Sequence, residues 1–81
     1  MSPKTIPDNL GKKLKMIRKK SGYTLDAMAE KLGMEGASRR ARVYEWESGS
    51  RQPDLNILLL YARIADVSTD VLIDDELKLK I

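Results

Sequence analysis

The chain has 81 residues, 42% hydrophobic and 33% charged, which is enough for one domain with one modest core. It contains no cysteine and no histidine, which excludes a disulfide framework and a thiolate metal site and removes the commonest general base. The net charge of +3 is unevenly spread: residues 1–51 hold 12 Lys/Arg against 6 Asp/Glu, and residues 52–81 hold 3 against 6. A basic front half suits a polyanion, and an acidic rear half suits a structural or partner-binding role.

No apolar run approaches the roughly 18 residues that span a bilayer, and no signal-peptide core follows Met1. The expectation is a soluble, cytoplasmic protein without a membrane partner. Three tyrosines, one tryptophan and no phenylalanine are too few for a single-strand stacking platform.

Residues 1–8 form an N-terminal arm carrying Pro3, Lys4 and Pro7, expected as a frayed end or as a strap along a groove. Asp8 or Asn9 can cap a first helix that runs to about Ser21 and stops at Gly22. Leu10, Leu14 and Ile17 stand at i, i+4 and i+7, one buried stripe. Lys12, Lys13, Lys15, Lys19 and Lys20 cover much of the rest, and most of them read as a solvated face. Thr24 caps a second short helix ending at Gly33, with Leu25, Met28, Ala29 and Leu32 turned inward. Met34 to Ala37, with Gly36, make the turn into the next element.

That element runs over about residues 38–48. Ser38 can cap its start, and Gly49 can end it in the left-handed conformation. At about 100° per residue, Val43 and Trp46 fall on one side with Glu47 beside them. Ala41, Tyr44 and Glu45 point the other way, flanked by Arg40 and Arg42. Arg39, Arg40 and Arg42 crowd like charge into one turn, a cost that a polyanion placed against them removes. The alternative is a plain solvated face. Two short helices joined by a glycine-containing turn, the second basic on its outer face, make a helix-turn-helix arrangement.

After Gly49 the loop Ser50-Arg51-Gln52-Pro53 leads to Asp54, the expected cap of a fourth helix reaching about Ala65. Leu55, Leu58, Ala62 and Ala65 make its core stripe. Ile57, Leu60 and Ile64 make a second stripe, so this helix is central or covered by something else. Ser68 or Thr69 caps a fifth short helix with Val71 and Leu72 facing in. In the tail, residues 76–81, Leu77, Leu79 and Ile81 alternate with lysines at the period of a strand. It is expected to pair as a short strand or to pack across a two-fold axis, the alternative being a disordered end.

Over roughly residues 9–74 the chain resembles the phage-repressor/Cro type of helix-turn-helix DNA-binding domain, the XRE family. The residues that carry the resemblance are Arg18 ahead of Gly22, Thr24, and the run Met28-Ala29-Glu30-Lys31-Leu32-Gly33. Glu47-Ser48-Gly49 with Pro53, then Leu55, Leu58, Ala62, Val67-Ser68 and Leu72, complete the pattern. It implies an all-α, compact five-helix lambda-repressor-like domain over residues 9–75, with the helix-turn-helix at the second and third helices. It also implies that Arg18 and Glu47 form an ion pair tying the first helix to the end of the third. Arg40 and Ala41 fall where family members touch base edges, Arg42, Tyr44 and Glu45 continue that face, and Arg51 falls where they contact phosphate. Arg39 and Thr24 complete the implied DNA-contacting set. Two departures stand out. The family usually has Gln where this chain has Leu25, and extra residues around Glu35 to Ser38 either lengthen the turn or extend the recognition helix backwards.

The function expected on these grounds is a sequence-specific double-stranded DNA-binding transcriptional regulator acting as a homodimer. Arg40 and Arg42 are the candidates for guanine O6/N7, with phosphate as the alternative for either, and Glu45 is a candidate for cytosine N4. Nothing in the sequence suggests an inducer-binding part. A different class of function is an antitoxin-like or adaptor protein, whose protein partner would engage the acidic rear with Asp66, Asp70, Asp74, Asp75 and Glu76. An enzyme is not expected, nor a cofactor or a metal: Asp74 and Asp75 read as ordinary surface charges.

Overall fold

A computed structural model describes residues 6–81, so most of the N-terminal arm, Lys4 included, lies outside the described residues. Five helices follow in order: α1 (Leu10–Lys20), α2 (Leu25–Lys31), α3 (Arg39–Ser48), α4 (Leu55–Ala65) and α5 (Thr69–Ile73). Helix α1 lies at the centre and packs on α3, α4 and α5, while α2 packs on α3 and α4 on α5. The core is what the helical stripes supply. Leu10, Leu14 and Ile17 meet Met28, Ala29, Leu32, Val43, Trp46, Leu58, Tyr61, Ala62 and Leu72.

Helix α1 comes close to α3 at Gly11. A Cβ placed on Gly11 would lie 2.5 Å from the Glu47 carbonyl oxygen and 3.0 Å from that of Trp46. Glycine is therefore required by backbone proximity, even though it weakens a helix interior. Left-handed residues terminate the first four helices: Gly22 (φ 77°) after α1, Gly33 (φ 75°) after α2, Gly49 (φ 83°) after α3 and Asp66 (φ 57°) after α4. Asp tolerates this region better than most residues because its short side chain bonds locally.

Several expectations need correction. Of the expected side-chain caps only that of Thr24 is made as expected, its Oγ1 accepting from the Ala27 N–H at 3.1 Å. Asn9, Ser38, Asp54 and Ser68 hold the N-cap positions of the other helices without a side-chain cap bond. At α1 the cap comes from far along the chain, because the Asp75 carboxylate accepts from the Asp8 and Asn9 N–H groups, both at 2.9 Å. Lys13 is not a solvated lysine. It is 6% exposed, and its Nζ donates to the Val71 and Asp74 carbonyls at 2.7 and 2.9 Å. Thus α1 caps the end of α5, and the residue just beyond α5 caps the start of α1. Unpaired terminal carbonyls and N–H groups attract a cation and an anion respectively, so neither Lys13 nor Asp75 is ordinary surface charge.

Leu55, expected in the core, is 81% exposed. It shares the face of Ala62 but sits in the first turn of α4, past the elements that cover that face. Tyr61 fills the core instead. No strand occurs among the described residues, so within one chain the tail does not pair as one. The alternation was compatible with a strand, but five helices offer no sheet edge. Instead Leu79 packs on the core, and Leu77 and Ile81 stay exposed. The extra residues lengthen the turn: α2 ends at Lys31 and α3 begins at Arg39, with positive-φ Gly33 and Gly36 between.

Candidate nucleic-acid interface

Helix α3 is presented by a rigid mount. Val43 and Trp46 bury its inner face. Arg18 of α1 reaches Glu47 in a fork, Nε to Oε2 at 2.7 Å and Nη2 to Oε1 at 3.0 Å, and its Nη1 donates to the Tyr23 carbonyl at 3.0 Å. The hydrogen-bonded Glu47 carboxylate raises the Arg18 pKa, against the opposing effect of burial. Such a pair specifies geometry more than it stabilises, since desolvation offsets most of the attraction. The far end is also fastened. The Glu45 carbonyl accepts from the Ser50 and Arg51 N–H groups at 3.1 and 3.3 Å and from the Ser48 and Ser50 hydroxyls.

The outer surface divides the candidate residues. Arg39 turns back to α2, where its Nη2 meets Glu30 Oε1 at 3.1 Å and its Nε lies 3.8 Å from Asp26 Oδ1. Arg40 and Arg42 are exposed, with no side-chain hydrogen bond or ion pair among the described residues. They do not face the same way. Arg40 lines a groove with Leu25, Ala37, Ala41 and Tyr44, whereas Arg42 lines a separate hollow with Trp46, Arg51, Gln52 and Asp54. Arg51 Nε is 2.7 Å from Glu45 Oε2, so two residues expected to act separately form one pair. Thr24, besides capping α2, is exposed near the start of that helix.

Sequence reasoning missed four residues that build this site. Gly11 sets the approach of α1 to α3, Lys13 and Asp75 fix α1 in place, and Tyr61 lies under the mount. Burial raises the Tyr61 pKa, with Glu47 adding to the shift and Arg18 opposing it. The only available signal was a glycine inside an apolar helical stripe. Among the described residues no cluster of three His, Cys, Asp or Glu side chains could hold a metal ion. No helix among them is long and apolar enough to cross a membrane.

An all-helical domain with a short helix laid on a second and presenting its outer face defines a helix-turn-helix domain. Comparison with known proteins is in accord: the family model described as Helix-turn-helix matches residues 14–72, and the chain belongs to this XRE-type family of non-enzymatic DNA-binding proteins. It is 38% identical over 65 residues to the HTH-type transcriptional regulator ImmR of Bacillus subtilis (strain 168), covering 80% of this chain and 48% of that protein. It is 40% identical over 63 residues to the uncharacterized HTH-type transcriptional regulator YqaE of the same organism, covering 78% of this chain and 51% of that protein. The chain thus spans about half the length of the curated relatives it matches. No solved structure matches significantly.

Proposed function

We propose that the protein is a sequence-specific double-stranded DNA-binding transcriptional regulator that lays α3 in the major groove. The observation that carries this reading is Arg40, exposed and unpaired among the described residues, in the first turn of a helix held from behind by Val43, Trp46 and the Arg18–Glu47 fork. The first residues of a recognition helix are those that reach base edges. Arg40 then reads guanine, with Ala41 and Tyr44 beside it. Arg42 and Arg51, which share the opposite hollow, serve the phosphate backbone together with Thr24. Glu45 holds Arg51 in place, and Arg39 braces α3 against α2.

One such domain makes few base contacts, and a two-fold pair is the usual remedy, with half-sites one helical turn apart. Leu55 and Leu59, one turn apart on α4 and both exposed, support a homodimer through the rear surface. The same apolar surface is what favours a protein partner as the second reading. The molecular mass in solution of the wild type and of Leu55→Lys/Leu59→Lys tests this: a wild-type dimer that becomes monomeric supports self-association, and a wild-type monomer favours the partner.

The central test is selection from pooled random duplex DNA at two salt concentrations, alongside Arg40→Ala. An enriched motif that loses preference at one defined position in the variant is the expected result. Binding without enrichment, steeply dependent on salt, would leave only a basic surface.

A further inference from the structure

We infer that the groove between Leu25 and the first two turns of α3 is a subsite for the 5-methyl group of thymine, and that it fixes a T next to the base read by Arg40. The inference deepens the reading of α3 as a major-groove helix and rests on it. Leu25, Ala37, Arg40, Ala41 and Tyr44 line an open groove of about 500 Å³. Arg40 and Tyr44 stand at i and i+4 of α3 and Ala41 and Tyr44 at i and i+3, so the three are neighbours on its outer surface, and Ala37, in the turn just before the helix, lines the same groove. Across that face stands Leu25, the first residue of α2 and half-buried. Leu25 and Tyr44 also line the neighbouring hollow above Arg18 and Glu47, which places the two side chains on a common ridge.

The chemistry of the walls selects the occupant. Among the side chains lining the groove, only Arg40 is charged and only the Tyr44 hydroxyl is otherwise polar. Phosphates, exocyclic amines and carbonyl acceptors gain nothing from Leu25, Ala37 or Ala41. In the major groove the one apolar group that a base pair presents is the methyl of thymine. The cation at the rim belongs beside a polyanion, and its planar fork fits guanine O6 and N7. Successive bases on a strand are about 3.4 Å apart, so a methyl and a guanine on neighbouring steps are within reach of side chains one helical turn apart.

The test uses the full chain and the duplex recovered by selection. Each thymine is replaced in turn by deoxyuridine, which removes the methyl and leaves the pairing intact, and the affinity of wild type and of Leu25→Gln is measured. We expect one thymine per half-site, adjacent to the position relaxed by Arg40→Ala, at which deoxyuridine weakens wild-type binding about fourfold, the effect of burying one methyl. Leu25→Gln binds thymine and deoxyuridine alike at that position. Should Leu25→Gln lose the fold, Tyr44→Ser at an exposed position gives the same readout. A selected site with no thymine beside the Arg40 position overturns the inference. So does deoxyuridine tolerated at every position, or a variant that keeps the full penalty. In those cases an apolar side chain of a second copy or a protein partner becomes the better occupant. Absence of any enriched sequence removes the underlying reading itself, and this is seen before deoxyuridine is introduced.

Discussion

At the scale of single residues, two buried polar groups behave oppositely. The Tyr61 hydroxyl is buried, and no hydrogen-bond partner for it exists among the described residues. A buried, unpaired hydroxyl costs free energy, so Tyr61→Phe should be neutral to stabilising, by up to about 1 kcal/mol at neutral pH in a denaturant melt. The folded chain holds the phenolic proton above the ordinary value of 10.0 because burial disfavours the phenolate. The phenol's ionisation therefore leaves stability untouched below pH 10 and lowers it progressively as pH rises beyond that value, so the advantage of Tyr61→Phe should widen in alkaline melts. Lys13 is the reverse case, because its ammonium satisfies two carbonyls at the end of α5. Lys13→Met should cost about 1–3 kcal/mol by leaving them unpaired. The salt dependence of DNA binding should be unchanged, since Lys13 is not available to phosphate. Both residues were hard to place from sequence: a lysine in a lysine-rich helix and a tyrosine in an apolar one look like their neighbours.

At the scale of elements, the orientation of α3 is set by how closely α1 can approach it. Gly11→Ala should destabilise the domain by about 1–3 kcal/mol, although alanine is the better helix former, because its methyl meets the backbone of Glu47 and Trp46. A thermal melt tests the stability, and a drop in affinity larger than the unfolded fraction explains would show that the helix has also been displaced. Most of the element pattern was legible in the sequence. Leu10, Leu14 and Ile17 are buried, Met28 and Ala29 lie inside, and Gly49 ends α3 as a left-handed residue, because helical periodicity and cap chemistry are local. The failures are where a segment's fate depends on neighbours. Leu55 has the right spacing but runs past its cover, and the alternating tail has no strand to join.

At the scale of the whole molecule, Arg40 and Arg42 line separate grooves, to which the proposed function assigns base reading and backbone contact respectively. Arg42→Ala should weaken binding about equally for all sequences and lower the slope of log K against log salt by about 1, whereas Arg40→Ala should relax one position of the motif. Competition titrations at several salt concentrations distinguish the two. The same slope change from Arg40→Ala, with no loss of preference, would assign it to phosphate instead.

The sequence by itself determined the class of domain, its five helices and most of the core. Periodicity, caps and the Arg18 and Glu47 positions are short-range or motif-scale signals, and these agree with one another. Tertiary structure alone decided what each arginine lies against. Arg39, Arg40 and Arg42 are near neighbours in the chain, yet one is taken by Glu30 and Asp26, one borders the apolar groove, and one joins Arg51. It also decided that Lys13 and Asp75 close the ends of helices more than fifty residues away in the chain. The physical reason is the same in each case: the partner of a charge is chosen by proximity in space, and a local pattern carries no record of it.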